Sequence, residues 1–268
     1  NSVSITHPVT VDLTPAAITI NTIATDDVIN AAEKGADLTL SGTTTNVEPG
    51  QTVTVTFGGK NYTASVASDG SWTATVPAAD LASLPEGSAS ALASVSNING
   101  NSASAVHNYS VDSSAPTIII NTVASDNIVN ASEADAGVTV SGSTTAEAGQ
   151  IVTITLNSPT VQTYQATVQA DGSWSINIPA ADLEALTDGS HTLTATVNDK
   201  AGNPASTTHN LAVDLTVPVL TINTIAGDDI INATEHGQAL VISGSSTGGE
   251  AGDVVTVTLN SKTYTTTL

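Results

Sequence analysis

The chain alternates apolar residues with threonine or serine in short runs. Runs such as TVTVTF and LTATV place an apolar side chain at every second position. A period of two residues is typical of β-strands that bury one face and expose the other. Thr and Val also favour the pleated surface of a sheet. The pattern therefore predicts a protein built from β-strands.

These runs recur with a period of about 100 residues, the range of one small domain. The pair Val-Asp stands at positions 11–12, 111–112 and 213–214, so the spacings are 100 and 102 residues. The tetrapeptide DGSW recurs at positions 69–72 and 171–174. The chain is therefore predicted to be a tandem repeat.

The repeat divides the chain into units. Unit one (residues 13–112) and unit two (residues 113–214) are predicted to be complete. Residues 215–268 correspond to the first half of a third unit. Residues 1–12 resemble the last strand of a preceding unit, so we expect the sequence to be a piece of a longer chain.

Each unit has turn signals every ~8–12 residues, which is typical of sandwiches and barrels. About seven strands in about 100 residues fit an immunoglobulin-like sandwich, whose strands are lettered A to G in chain order. Strand A is predicted at the ITIN segment, and strand B at the segment that ends in Ser-Gly, a pair that recurs at positions 41–42, 141–142 and 243–244. The chain has no cysteine, so the disulfide of antibody domains is absent. The predicted fold class is all-β, with tandem immunoglobulin-like β-sandwich domains.

The DGSW motif contains the tryptophan of each complete unit. Asp-Gly is a common hairpin turn, and Trp72 and Trp174 follow it directly. We interpret both as core anchors, with a sugar-stacking platform as the alternative. The PAADL segment that follows predicts a short helical turn, in which Leu183 and Leu186 close one end of the sandwich.

Charge limits the possible partners. The chain has 25 acidic and 4 basic residues, for a formal net charge of −21. Such a surface repels phosphate backbones and anionic lipids, so no nucleic-acid partner is expected. No apolar run reaches the ~18–20 residues of a transmembrane helix, so no membrane insertion is expected.

Catalytic signatures are not recognisable. His107 and His209 occupy equivalent positions in the last strand of each unit and are predicted to be exposed. No histidine has zinc-like spacing, and no Ser-His-Asp order, nucleophile elbow or phosphate loop stands out. The chain is therefore not expected to be an enzyme.

The acidic residues fall in predicted loops that should meet where two units join. Asp26 and Asp27 lie in the AB loop of unit one, at the pole that the chain leaves at Asp112. The FG loop of unit two, with Asp199 and Asn203, should lie across that junction. These five residues are therefore predicted to converge.

Converging carboxylates repel one another unless a cation lies between them. Ca²⁺ takes six to eight oxygen ligands from carboxylates, amides and carbonyls, and the junction offers oxygens and few nitrogens. We therefore predict Ca²⁺ at the junctions. The alternative is that these residues are turn formers, because Asp and Asn side chains mimic backbone hydrogen bonds in turns.

The same positions recur in the other units. The predicted calcium ligands are Asp12, Asp26, Asp27, Asp112, Asp126, Asn127, Asp199, Asn203, Asp214, Asp228 and Asp229. In the FG loop of unit one, Asn97 replaces Asp199, which removes a charge from the junction near Asp12. Charge count tunes calcium affinity, so the junction between units one and two is predicted to bind calcium most tightly.

The combination of motifs is specific. VDLTP, INTIATDDVINAAE, DGSW, IPAADL and TLTATVNDKAGN together resemble the bacterial Ig-like repeats of giant non-fimbrial adhesins, which Gram-negative bacteria export by type I secretion. The resemblance covers nearly the whole chain. It implies an extended rod at the bacterial cell surface, rigidified by Ca²⁺ held by the junction aspartates, and the departure at Asn97 puts one site in doubt.

The resemblance predicts an extracellular adhesin stalk segment that extends an adhesive tip toward host cells. The expected partners are neighbouring Ig-like repeats of the same chain and a host-cell receptor or glycan bound through other domains; the chain is expected to be a monomer. One alternative is that these domains themselves bind a host glycan. Another is a glycosidase with paired carboxylates, although acids repeated at every junction suit a spacer better.

Overall fold

The computed structural model describes residues 2–157 and 160–268. Residues 2–16 form neither helix nor strand. The elements of unit one are β1 (Ala17–Ile18), β2 (Val28–Ile29), α1 (Ala31–Lys34), β3 (Leu38–Thr45), β4 (Thr52–Phe57), β5 (Lys60–Ser65), β6 (Ser71–Val76), α2 (Ala78–Leu81), β7 (Gly87–Ser96) and β8 (Ser102–Val111).

Unit two repeats this order of elements. They are β9 (Ile118–Ile120), β10 (Ile128–Asn130), α3 (Ala131–Ala136), β11 (Val138–Thr144), β12 (Ile151–Asn157), β13 (Gln162–Thr167), β14 (Ser173–Ile178), α4 (Ala180–Glu184), β15 (Gly189–Asn198) and β16 (Pro204–Asp214). The remaining strands are β17 (Val219–Ile222), β18 (Gly244–Thr247), β19 (Val254–Leu259) and β20 (Lys262–Thr267).

Each complete unit has a three-stranded and a five-stranded sheet. In unit one the orders are β1-β3-β6 and β2-β8-β7-β4-β5, and in unit two they are β14-β11-β9 and β10-β16-β15-β12-β13. The pairings are antiparallel except for β2 with β8 and β10 with β16, which are parallel. The predicted all-β class with Ig-like sheets is confirmed.

The alternating pattern of the sequence matches the burial of the strands. In β4, Val53, Val55 and Phe57 are buried, and the threonines between them face outward. Trp72 and Trp174 are each 1% exposed and belong to two separate apolar cores, one in each unit. They are therefore core anchors, as predicted, and cannot form a sugar-stacking surface.

The predicted helical turn after each tryptophan strand is also present. The two helices are α2 and α4, and each begins directly after a proline. Leu183 and Leu186 are buried in the core of unit two, as the PAADL pattern predicts. The helix therefore covers one end of the sandwich.

Three features differ from the sequence prediction. The helices α1 and α3, of four and six residues, and the strands β2 and β10, of two and three, were not predicted, because such short segments give no clear period. Strand B was predicted to end at Ser41-Gly42, yet β3 continues to Thr45. It continues because β1 and β6 pair with it on both sides, and Gly42 lets the neighbouring chain approach closely.

The chain after β16 forms two separate two-stranded sheets. β17 pairs with β18, and β19 pairs with β20. Apolar side chains such as Val219 and Ile222 remain more than half exposed. Across the described residues, no helix has the length and apolar character needed to cross a bilayer.

Candidate site at the junction between the repeats

Charge is confined to the ends of the sandwiches. Every aspartate and glutamate lies in a loop or a short helix, apart from Asp214, which is the last residue of β16. The outer faces of the sheets carry mainly Ser, Thr, Asn and Gln. The acidic groups therefore concentrate where consecutive units meet.

The FG loop of unit two (residues 199–203) contacts unit one through Asn203, whose residue surface is 1% exposed. Asn203 Oδ1 accepts a hydrogen bond from the Ala31 backbone N–H at 2.8 Å. Its Nδ2 donates to the backbone oxygen of Asp112 and to Asp199 Oδ2, both at 2.9 Å. The structure thus brings Asp112, Asp199 and Asn203 together, as the sequence predicts.

Asp199 is 7% exposed, and both of its carboxylate oxygens accept hydrogen bonds from Asn203. No basic side chain lies within 4.0 Å of it in residues 2–157 and 160–268. The side chain of Glu147 contacts the same loop, accepting from Lys200 N at 2.8 Å. Buried carboxylates are ordinarily paired or bound to metal, so this junction has an uncompensated acidic group.

The donor chemistry fits calcium, although the carboxylates alone do not form a complete shell. The junction supplies the carboxylate of Asp199, the linker residue Asp112 and nearby backbone carbonyls, which are all oxygen ligands. Within the described residues, no three His, Cys, Asp or Glu side chains are grouped closely enough to hold a metal. Backbone, amide or water oxygens would have to complete a shell of about six to eight ligands.

The AB-loop acids lie elsewhere. Asp27 Oδ1 accepts from Ile23 N at 2.8 Å and lies 2.6 Å from His107 Nε2. Asp26 Oδ1 accepts from Val28 N at 3.0 Å. Asp27 precedes Asn30 by three residues, or about 10 Å of extended chain, and no hydrogen bond described for Asp26 or Asp27 reaches Asp112, Asp199 or Asn203.

The other AB loops repeat these local bonds. The side chains of Asp126 and Asp228 accept from the N–H groups of residues 128 and 230, at 2.9 and 3.0 Å. Those of Asn127 and Asp229 accept from the N–H groups of residues 123 and 225, at 2.9 and 2.8 Å. Residues 27, 127 and 229 have positive φ angles of 65, 68 and 63°, which Asp and Asn tolerate best after Gly. The turns account for these repeated residues without a metal.

The other repeated polar residues of the AB segment also bond locally. Asn30 accepts from Glu33 N, while Glu33 Oε2 accepts from Asn30 N, both at 3.0 Å. This reciprocal pair is a capping box that starts α1, and Asn130 with Glu133 starts α3 in the same way. The N-x-x-E spacing resembles the capping-box signal, so the sequence could have indicated these helices.

The histidines of the last strands are not simply exposed, contrary to the prediction. His107 is half-buried and lies against Asp27, and His209 Nε2 lies 2.7 Å from Asn127 Oδ1. Burial follows because β2 and β10 bring the AB loop beside the last strand. The parallel strand, which was not predicted, is the cause of both contacts.

Asp27 should titrate below its usual value. The Ile23 N–H donates to its carboxylate and is the larger cause of a pKa lowered from 3.8, with His107 the second. This stabilisation is present above the unfolded pKa and is lost as pH falls through the lower folded pKa. We expect NMR titration to give a pKa below 3.8 that stays below it in H107A. A return to 3.8 in H107A would show that His107, not Ile23, is the main cause.

The junction before unit one has the same design with less charge. Asn101 Nδ2 donates to the backbone oxygen of Asp12 at 3.2 Å, as Asn203 does to Asp112. Asn99 Nδ2 donates to Asp12 Oδ2 at 2.7 Å. The buried position of Asp199 is occupied by Asn97, which is 5% exposed. The Asp12 junction therefore lacks the second carboxylate.

The linker after each unit is also held by an acid of the EF loop, a contact that was not predicted from the sequence. Glu86 Oε2 accepts from Ser113 N at 2.9 Å, its other oxygen contacts the Ser113 hydroxyl, and Lys34 Nζ lies 3.3 Å from it. In unit two, Asp188 accepts from the N–H of Leu215 and the hydroxyl of Thr216, at 2.7 and 2.8 Å. Glu86 and Asp188 stand at the same position after the PAADL helix of their units, and this repetition was the available signal in the sequence.

Comparison with known proteins finds a matching family and similar solved structures. A family described as the bacterial Ig-like domain matches residues 114–215. The search of curated proteins found no match. Among solved structures, the chain is similar to a Ca²⁺-stabilized adhesin that helps an Antarctic bacterium reach out and bind ice, with 37% identity over 96% of this chain and a TM-score of 0.50.

A second similar structure belongs to a 1.5-MDa bacterial ice-binding adhesin, with 36% identity over 96% of this chain and 84% of that chain, and a TM-score of 0.49. The chain spans 64% of the length of the first structure. Both are adhesins.

Proposed function

Because the chain belongs to the family of bacterial Ig-like domains, we propose that it is a segment of an adhesin stalk at the bacterial cell surface. The family and the similar structures are structural modules rather than enzymes. In this proposal the repeats hold an adhesive tip away from the cell and toward a host. The receptor or glycan is bound by other domains, and export by type I secretion is part of the same proposal.

The observation that carries the proposal is the direct contact between consecutive units. The FG loop of unit two is buried against the linker at Asp112 and the start of α1 at Ala31. A stalk needs neighbours that keep a defined orientation, and hydrogen bonds between rigid elements supply one. The partners of each repeat are therefore the repeats before and after it.

We further propose that Ca²⁺ binds at this junction, held by Asp112, Asp199 and nearby carbonyl oxygens. The ion would neutralise the buried carboxylate of Asp199, which has no basic partner. Asp12 and Asp214 hold the linker position at the other junctions. For the AB-loop residues, which bond to their own turns, a role as metal ligands stays a prediction.

Calcium binding would also make the ordering of the junction depend on the calcium concentration around the chain. Extracellular calcium sites bind at ~10⁻⁴–10⁻³ M, so the sites would be empty in a cytosol that is poor in calcium. Without the ion, repulsion among the acidic groups would leave the orientation of the units less restricted until export. Binding outside the cell would stabilise the ordered form by mass action.

Small-angle scattering with millimolar calcium, and then with chelator, tests this proposal. We expect a stiffer and longer particle with calcium, and a smaller response in D199N because the buried ligand loses its charge. D135N is the matched control, since Asp135 is an exposed acid on α3, and it should respond like the wild type. Superimposable profiles with calcium and chelator would contradict a role for calcium.

The aromatic residues give no support to the alternative that these domains bind a glycan. Trp72 and Trp174 are buried, and Tyr264 is the one exposed aromatic side chain in the part of the chain that the structure describes. A single tyrosine does not form a stacking platform. We therefore propose the stalk function alone.

A further inference from the structure

We propose that Asn203 fixes the orientation of unit two relative to unit one through protein hydrogen bonds that need no metal ion. The inference deepens the stalk proposal and rests on it. Asn203 was predicted to be a calcium ligand, but its amide groups are already engaged. We refer to it as the junction asparagine.

The junction asparagine joins three segments of the chain. Its Oδ1 accepts from the N–H of Ala31 in unit one at 2.8 Å. Its two N–H groups are directed to the linker oxygen of Asp112 and the carboxylate of Asp199, both at 2.9 Å. An asparagine amide has two donors and one acceptor oxygen, so every polar atom of this side chain is used. A buried side chain bonded on three sides has one available rotamer.

The N–H of Ala31 gives unit one a hydrogen-bond donor for the next repeat. The first N–H groups of a helix have no partner within the helix. The capping box uses the N–H groups of Asn30 and Glu33, so those of Ala31 and Ala32 have no partner in it. The FG loop of the next unit supplies the missing acceptor, so the end of unit one is completed by unit two.

The FG loop of unit one is an internal comparison. Asn101 is only partly buried, and no bond to its Oδ1 is described. A Cβ built at Gly202 would lie 3.6 Å from Asn30 Nδ2, whereas one at the equivalent Gly100 meets nothing within 4 Å. The FG loop of unit two therefore packs directly against the AB segment of unit one.

The side chains of the two loops also differ in burial. Ala201 is 6% exposed, and Asn99, at the same position in unit one, is exposed. The surface at the end of a unit thus fits a loop with a small residue followed by glycine and asparagine. Ala131 and Asp214 occupy the equivalent positions at the end of unit two, so the same kind of loop fits there.

The decisive variant is A31P, which removes the N–H of Ala31 without changing unit two. Proline is favoured at the first position of a helix, and the residue before it must be extended. Asn30 has φ −87° and ψ 179°, so unit one should still fold. A131P is the matched control, because Asn130 has φ −88° and ψ 170° and no bond from Ala131 N to another unit is described.

The chain has no cysteine, so spin labels can be placed at T63C and Q165C. Both positions are exposed on the equivalent strands β5 and β13. Pulsed electron–electron double resonance then gives the distribution of distances between the two labels, and so between the units. We expect A31P and N203A to broaden it about twofold relative to the wild type, both with calcium and with chelator, and A131P to leave it unchanged.

The outcomes separate this inference from the calcium proposal. Broadening by A31P in chelator supports a metal-independent role for the junction asparagine. Equal widths for A31P and the wild type in both conditions overturn the inference, as does an effect of A31P confined to calcium. The change in the wild-type distance distribution on adding chelator tests the calcium proposal separately. N203A could disturb the fold of unit two, which thermal unfolding would reveal, but A31P avoids this problem.

Discussion

Replacing Trp174 by alanine should lower the free energy of unfolding of unit two by about 3–5 kcal/mol, the usual cost of truncating a buried aromatic residue. Trp174 is 1% exposed and belongs to the core of unit two. The chain has only one other aromatic residue of this size, Trp72, which lies in the other core. Few aromatic side chains are available to fill the cavity, so little relaxation is expected.

Each of the two units has one tryptophan, so a variant that lacks one of them reports the unfolding of the other unit by fluorescence. In W174A the remaining fluorescence comes from Trp72, so its denaturation curve reports unit one, while circular dichroism reports both units. We expect the unit-one transition to keep its midpoint and a second transition to appear at lower denaturant. W72A should give the mirror result. A shift of both transitions in W174A would show that the two cores are coupled, contrary to their separate packing.

The core could be predicted because the alternation of apolar and polar residues within one strand shows which side chains are buried. In β4 and β12 every second residue is a large aliphatic or aromatic side chain, and these are the buried ones. The tryptophans were recognisable because each follows a hairpin turn in both complete units. Such local patterns do not depend on knowing how the sheets pair.

The polar residues were harder to place because the partner of a carboxylate depends on tertiary register. From the sequence, Asp27 and Asp112 are both acids at the same pole. In the structure, β2 pairs with β8 so that Asp27 lies beside His107, whereas the N–H of Ala31 bonds to the FG loop across the junction. An unpredicted parallel strand of two residues thus separates the AB-loop acids from the linker.

The contacts of the FG loop could be predicted only in part from the order of the strands. Knowing the poles of a sandwich was enough to place Asp199 and Asn203 opposite Asp112. It was not enough to identify Ala31 as a partner, because that N–H is free only if a helix begins there. The linker contact of Glu86 was missed for a similar reason, because its partners in the linker depend on tertiary packing and its shared position with Asp188 does not identify them.

Replacing Gly142 by alanine should destabilise unit two by about 1–3 kcal/mol or more, the range for overpacked sites. Gly142 pairs with Trp174 across β11 and β14. A Cβ built there would lie 2.0 Å from the backbone oxygen of Ile119 and 2.4 Å from the ring of Trp174. A side chain can rotate away from such a contact, but the backbone of β9 cannot move without breaking its pairing with β11.

The two contacts can be separated by combining G142A with W174F, because the smaller ring vacates part of the space. We expect chemical denaturation to show that W174F relieves only part of the cost of G142A, since the Ile119 oxygen remains. G237A is the control, because a Cβ at Gly237 meets nothing within 4 Å, and it should be nearly neutral. If W174F removed the whole cost of G142A, the tryptophan ring alone would exclude a side chain at position 142, and strand A could move to make room. Partial relief would mean that the Ser-Gly pair recurs in each unit because strands A and B approach too closely for any side chain at the glycine.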